Sequence, residues 1–131
     1  MKHHQENPDY LRYAYLSFVL TQVLQFFLLI TLAQPVFPDR SILTGPTQFW
    51  IRAHTTSTLP FALLVFLLRD QPVSTPVGKK VALAFTLLHA FALLLVIWYR
   101  AYETWWMEPF WVSVVTHSLW FASGAAALKT H

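Results

Sequence analysis

The amino-acid sequence predicts an all-α integral membrane protein built as a four-helix bundle, and three observations predict this fold class. Of the 131 residues, 56% are hydrophobic and only 11% are charged, whereas about a quarter of the residues in soluble domains are charged. Four apolar segments are each long enough for a helix to cross the roughly 30 Å of hydrocarbon in a bilayer. Proline and glycine punctuate the stretches between these segments, as is typical of loops.

The four predicted transmembrane helices cover residues of about 11–32, 49–68, 81–99 and 109–128. Each contains the roughly 20 mostly apolar residues that a spanning helix needs. The polar N-terminus lacks the zones of a cleavable signal peptide, so we expect the first helix to act as its own insertion signal. No repeat or second domain is visible, and residues 1–131 are predicted to form a single domain.

Basic residues near the helix ends are distributed unevenly between the two sides. One side carries Lys2, Arg12, Arg69, Lys79, Lys80 and Lys129, and the other carries Arg40 and Arg100. The positive-inside rule therefore places both termini in the cytoplasm. Aromatic residues typical of a membrane interface gather on the opposite side: Trp50, Trp98, Tyr99, Tyr102, Trp105 and Trp106. The two signals predict the same orientation of a multi-pass chain, with the lipid bilayer as its first partner.

Composition also excludes several classes of function. The chain contains no cysteine, which rules out disulfides, thiolate nucleophiles and cysteine-based metal sites. Its net charge of +3 comes from basic residues spread along the chain, without the clustering that binds nucleic acid. We therefore expect no nucleic-acid partner.

Ionisable side chains within the predicted spans are the strongest functional signal. Arg52 and His54 lie in the outer third of the second helix, His89 near the middle of the third, and Glu108 and His117 in the fourth. Such groups are costly in hydrocarbon and indicate functional sites by default. At 1.5 Å per residue, His89 lies about 13 Å from the start of its helix, at one face of the membrane. His117 lies about 13 Å from the opposite face. We expect these two side chains to meet at similar depth.

Each of these residues also has a structural interpretation. Polar side chains in membrane helices commonly hydrogen-bond between helices, which would explain Gln22, Gln25, Ser113 and Thr116. Arg52 can snorkel to the outer interface, and Glu108 before Pro109 can stabilise a helix start. The functional interpretation makes four polar side chains binding groups for a substrate: Arg52, Gln25, Thr58 and Ser113.

Pro60 lies inside the second predicted helix and removes the hydrogen bond to the Thr56 carbonyl, so a kink is expected there. Threonine and serine hydroxyls such as those at residues 55–58 are the usual remedy for such a freed carbonyl in a membrane. The functional alternative is that local unwinding beside Arg52 and His54 opens a small polar cavity.

Three histidines and a carboxylate, without a serine or cysteine nucleophile motif, suit general acid–base chemistry. The predicted catalytic residues are His54, His89, Glu108 and His117. On a lipophilic terpenoid, polyketide or sterol-like substrate, they would support epoxide opening, cyclisation or double-bond isomerisation. Neither a cofactor nor a metal is expected for this chemistry. Two alternatives use the same residues, namely a haem held by His89 and His117 and a metal bound by these two and His54.

Short motifs in all four helices carry a resemblance to a known family. The first helix contains the run Thr21-Gln22-Val23-Leu24-Gln25, and the second contains Arg52, Thr56 and Thr58 and ends at Arg69. The third contains His89, and the fourth opens with Met107-Glu108-Pro109 followed by Val112-Ser113, Thr116 and Ser118. In this order, they resemble the landmarks of the ergosterol biosynthetic protein 28 family across almost the whole chain. The resemblance implies a small four-helix protein of the endoplasmic reticulum that tethers sterol C-4 demethylation enzymes.

The chain departs from the family pattern at specific positions. Ala92 and Leu93 replace a serine and a glutamate after the shared histidine, whereas His54, Glu108 and His117 are additions. These differences indicate a diverged relative that has gained groups capable of acid–base chemistry. Two functions follow as hypotheses. One is a membrane-embedded enzyme, and the other is a scaffold whose partners are other membrane-bound biosynthetic enzymes.

Overall fold

A computed structural model describes residues 6–31, 46–102 and 110–130, and the side chains of residues 6–27, 56–98 and 111–130. Four helices account for most of these residues: α1 (Asp9–Thr31), α2 (Pro46–Leu68), α3 (Pro76–Tyr102) and α4 (Phe110–Thr130). No strand occurs in the described ranges, which confirms the predicted all-α class for them. Each helix overlaps one of the four predicted segments.

The loop predicted at residues 69–80 is shorter than expected, because α3 already begins at Pro76. Thr75 caps this helix: its Oγ1 accepts a hydrogen bond from the Gly78 N–H at 3.0 Å and donates one to the Pro72 carbonyl at 2.7 Å. Proline suits the next position, since its missing N–H would have no partner in a first turn. A Cβ at Gly78 would overlap the Pro72 carbonyl oxygen, so only glycine fits this close approach.

Asn7 fixes the loop between α2 and α3 through all of its amide groups. Its Nδ2 donates hydrogen bonds to the carbonyls of Arg69 and Gln71 at 2.8 and 2.7 Å, and its Oδ1 accepts one from the Val73 N–H at 2.9 Å. The side chain is buried, and burial without such partners would be costly. The segment before α1 is therefore tied to residues that follow α2.

The described residues fall into two compact units, one within Met1–Tyr15 and Leu68–His131 and the other within Leu16–Leu67. In the first unit, the Tyr15 and Phe85 rings meet edge to face, 4.9 Å apart. In the second, Phe18 and Phe61 meet similarly at 5.9 Å. The single domain predicted for residues 1–131 stays a prediction.

Within the part of the chain that the structure describes, two helices are long and apolar enough to cross a membrane: α3 over Pro76–Trp98 and α4 over Trp111–Thr130. Only 33% and 22% of these apolar windows are buried within the protein, whereas the core helix of a soluble protein would be mostly buried. Large apolar side chains such as Leu94 and Leu119 are more than 60% exposed. A helix that is apolar on all sides belongs in a core or in a bilayer, and these outward faces have the chemistry of a lipid contact.

Candidate functional site

The centre of the candidate site is a direct hydrogen bond between two histidines in the first unit. His89 of α3 and His117 of α4 approach each other with their Nδ1 atoms 3.0 Å apart. His89 is 1% exposed, and His117 is half-buried. The meeting of these side chains was predicted from their depths and is confirmed by the geometry. Their catalytic role stays a prediction.

This hydrogen bond constrains how the two rings can carry protons. One Nδ1 must hold the hydrogen and the other must accept it with a lone pair, because a neutral imidazole has one donor and one acceptor nitrogen. Two doubly protonated rings would set N–H against N–H. The pair therefore accommodates two neutral rings, or one imidazolium beside one neutral ring. In each neutral ring, the tautomer decides whether Nε2, the nitrogen outside the bond, carries a hydrogen or a lone pair.

Aromatic side chains surround the pair. The His89 ring meets Phe85 edge to face at a centroid distance of 4.4 Å and lies 4.7 Å from Trp120. Trp120 also meets the His117 ring edge to face at 5.4 Å. Phe85 and Trp120 are themselves buried, so they hold both imidazoles in place and keep His89 from water. An imidazolium beside the face of a tryptophan would gain a cation–π attraction.

Helical spacing brings these side chains onto facing surfaces. On α3, Phe85 precedes His89 by four residues, and on α4, Ser113, His117 and Trp120 are spaced by four and three residues. Residues at these intervals share one face of a helix. Ser113, predicted to bind substrate, lies on this face and is buried at 1% exposure.

Close contact between α3 and α4 depends on Gly124. A Cβ at this position would overlap Thr86 Oγ1 and lie 3.3 Å from Thr86 Cβ and 3.5 Å from Phe85 Cδ1. The Thr86 hydroxyl donates a hydrogen bond to the Ala82 carbonyl at 2.7 Å. Small residues allow such backbone approach between membrane helices. Thr86 lies one turn from His89 and Gly124 two turns from His117, so this contact and the histidine pair belong to the same interface between α3 and α4.

Sequence reasoning missed Phe85, Trp120, Thr86 and Gly124 as parts of the site. The intervals Phe-x-x-x-His and His-x-x-Trp each place an aromatic ring on the same face as a histidine, and they were available in the sequence. Which residue of α3 faces Gly124 depends on how the two helices are rotated and shifted against each other. Spacing within one helix does not reveal this.

The observed geometry does not fit a haem shared by the two histidines. Axial ligation puts an iron between two nitrogens, each about 2 Å from the metal, with the macrocycle separating the rings. Here the two Nδ1 atoms are 3.0 Å apart and the ring centroids 5.2 Å apart, so the rings as they lie leave no room for a macrocycle between them, and the haem alternative stays a prediction. Among the described residues, no group of three metal-binding side chains occurs. The three-histidine alternative includes His54, whose side chain lies outside the described set.

The remaining predicted site residues fall outside the histidine pair. Thr58 donates a hydrogen bond from Oγ1 to Gln22 Oε1 at 2.6 Å within the second unit, as the interhelical interpretation predicts. Gln25 belongs to the same unit and is half-buried. The side chains of Arg52 and His54 and all of Glu108 lie outside the described residues, so their roles stay predictions.

Local unwinding of α2 was one alternative for this region, and the structure does not contain it. The helix runs from Pro46 to Leu68 with helical backbone on both sides of Pro60. A membrane helix can contain a proline without unwinding when nearby hydroxyl groups or waters hydrogen-bond to the carbonyl that the proline leaves without its N–H donor. A polar cavity beside Arg52 and His54 would involve side chains outside the described residues, so it stays a prediction.

Comparisons with known proteins add no functional assignment. No family model, curated protein or solved structure matches this chain. The resemblance to the ergosterol biosynthetic protein 28 family thus stays an expectation from short motifs.

Proposed function

We propose that this protein is a membrane-embedded enzyme that transfers protons on a lipophilic substrate at the His89–His117 pair. The observation that carries the proposal is the 3.0 Å hydrogen bond between the two Nδ1 atoms, formed by helices that are apolar on their outer faces. The substrate class is a terpenoid, polyketide or sterol-like molecule, because such molecules partition into the bilayer beside the site.

The two histidines have different roles in this mechanism. His117 is half-buried and His89 is fully buried, so His117 is the residue that touches the substrate. We assign the hydrogen of this bond to His117 Nδ1 and the accepting lone pair to His89 Nδ1, so that the His117 Nε2 lone pair is the base. A hydrogen-bond partner orients catalytic histidines in this way in other enzymes. His89 is therefore a positioning residue.

Double-bond isomerisation fits this pair most directly. His117 Nε2 removes a proton from one carbon of the substrate, the double bond shifts, and the resulting imidazolium returns the proton to another carbon. The electron pair stays within the substrate, and no oxidant, reductant or cofactor is consumed. Epoxide opening and cyclisation begin instead with proton donation from the imidazolium to an oxygen or a carbon, so they use the same atom in its charged state.

The membrane arrangement proposed for this enzyme has four spans with both termini in the cytoplasm and lies in the endoplasmic reticulum. The apolar outer faces of α3 and α4 support the membrane placement, and the uneven distribution of basic residues supports the orientation. The endoplasmic reticulum is implied by the family resemblance alone. We retain His54 and Glu108 as further acid–base groups, and Arg52, Gln25, Thr58 and Ser113 as substrate-binding groups, on the sequence argument alone.

The test is solvent-deuterium incorporation by the purified protein in lipid nanodiscs. A panel of unsaturated terpenoids, polyketides and sterols is incubated in deuterium oxide, and mass spectrometry detects isomers and exchanged hydrogens. Replacing His117 with glutamine should lower turnover by about 10²–10⁴-fold, the usual contribution of a general base. Replacing His89 with alanine should lower kcat with little change in KM. The control variant Ser118→Ala alters an exposed neighbour on α4 and should keep full turnover.

The tethering function implied by the family resemblance is our second proposal. It predicts that the purified protein alone converts nothing, and that His117→Gln leaves the set of co-purifying membrane enzymes unchanged. Turnover by wild-type protein that survives His117→Gln would refute the catalytic assignment. Absence of turnover together with stable capture of biosynthetic enzymes would favour the scaffold.

A further inference from the structure

Two adjacent lysines border an open groove at the start of α3. The groove has a volume of about 470 Å³ and is lined by Ser74, Thr75, Pro76, Lys79, Lys80 and Leu83. Both lysines are exposed. The lining surface is mostly carbon, so this groove combines two ammonium groups with an apolar floor.

Neither lysine is neutralised by a carboxylate in the described part of the chain. Asp70, which lies in the preceding loop, pairs with Arg12 at 3.3 Å and with Arg69 at 3.5 Å. These two pairs are the described salt bridges, and they leave the ammonium groups of Lys79 and Lys80 available to another anion. The groove is thus complementary to a negatively charged group.

An apolar stripe continues from the groove along α3. Leu83, Leu87, Phe91 and Leu94 follow Lys80 at intervals of three or four residues and are between 47% and 62% exposed. Residues at this spacing share one helix face. The stripe from Leu83 to Leu94 is about 16 Å long at 1.5 Å per residue, which matches the roughly 15 Å of hydrocarbon in one leaflet.

We propose that the groove binds an anionic phospholipid, with its headgroup at Lys79 and Lys80 and an acyl chain along the stripe beginning at Leu83. Charge complementarity selects an acidic headgroup, and the continuous apolar stripe selects a lipid over a soluble phosphate. The inference rests on the membrane placement in the proposed function and is independent of the acid–base chemistry. The bound lipid would fix the depth at which α3 sits in the leaflet.

The test compares binding of dioleoyl-phosphatidylserine and dioleoyl-phosphatidylcholine, supplied at equal concentration to the detergent-purified full chain, by intact-protein mass spectrometry. Wild-type protein should bind the serine lipid preferentially, by roughly fivefold for each lysine near the headgroup. The double variant Lys79→Gln/Lys80→Gln should bind both lipids equally. Lys79→Arg/Lys80→Arg should keep the preference, and so should Lys129→Gln, which removes one positive charge from the exposed end of α4.

Several outcomes would overturn the inference. They are an unchanged lipid preference in Lys79→Gln/Lys80→Gln, an equal loss of preference in Lys129→Gln, and displacement of the lipid by millimolar inorganic phosphate.

Alkaline carbonate extraction of cell membranes separates this inference from the proposed function. Release of the protein into the supernatant would overturn the membrane placement and the lipid site together. A protein that stays in the membrane but shows no lipid preference would overturn the lipid site alone.

Discussion

Replacing Gly124 with alanine should destabilise the contact between α3 and α4, and a second substitution should reverse the effect. The added Cβ would overlap Thr86 Oγ1, well inside the 3.0 Å that real Cβ contacts keep. Thr86 is buried, and its hydroxyl is engaged with the Ala82 carbonyl. Because threonine is β-branched, its side chain has few rotamers available in a helix. The overlap must therefore be relieved largely by separating the helices.

The size of the effect follows from two opposing terms. Overpacking a tight site costs typically 1–3 kcal/mol, and an overlap this deep belongs near the upper end. Alanine in place of glycine in a helix returns about 1 kcal/mol. We therefore expect Gly124→Ala to lower the free energy of unfolding by about 2 kcal/mol. In a Thr86→Ala background, the nearest atom is Thr86 Cβ at 3.3 Å, so the same substitution should be neutral or stabilising.

The assay is a double-mutant cycle of reversible denaturation in mixed detergent micelles, in which unfolding is followed by circular dichroism. Ala126→Val, at an exposed position of the same helix, serves as the control for a general effect of added volume. Nitrogen-15 NMR of the histidine side chains should also report a longer Nδ1–Nδ1 distance than 3.0 Å in Gly124→Ala. Equal destabilisation by Gly124→Ala in both backgrounds would refute the proposed contact with Thr86.

Three further predictions concern other hydrogen bonds. Asn7→Ala removes three bonds to the α2–α3 loop and should cost about 3 kcal/mol at about 1 kcal/mol per bond. Asn7→Asp should be no better, because a carboxylate would face two carbonyl oxygens, and thermal denaturation in detergent ranks the two variants. Thr75→Ala removes the cap of α3 and should cost about 1 kcal/mol, whereas Thr75→Ser should retain stability in the same assay. Gln22→Leu and Thr58→Val should show a coupling of about 0.6–1.7 kcal/mol in a double-mutant cycle, and additive effects would mean that their 2.6 Å bond contributes nothing.

The helix positions were predictable because they follow from composition along the chain. Long apolar runs separated by proline and glycine located all four helices, and α1 (Asp9–Thr31) and α4 (Phe110–Thr130) begin and end within a few residues of the predicted bounds. The predicted start of α3 at residue 81 is wrong, because Pro76 and Gly78 are typical of loops although α3 begins at Pro76. Both occupy a capped first turn, and the cap depends on Thr75 and on the close approach of the Pro72 carbonyl.

The histidine pair was predictable in part. Depth follows from residue count, since every helical residue adds the same rise, and this was enough to bring His89 and His117 to one level. Rotation about the helix axis does not follow from depth. That the two Nδ1 atoms face each other, and that Trp120 contacts both rings, depends on the packing of α3 against α4.

The sequence by itself determined the all-α class, the apolar character of α3 and α4, and the shared depth of two histidines, because these depend on composition and on spacing along one helix. Only the tertiary structure decided that the histidines share a hydrogen bond, and the proposed proton transfer rests on that bond. It also decided that Thr58 bonds to Gln22 and that Gly124 meets Thr86. The physical reason is that contacts between helices depend on their rotation and separation, which are set by the fit of many side chains at once.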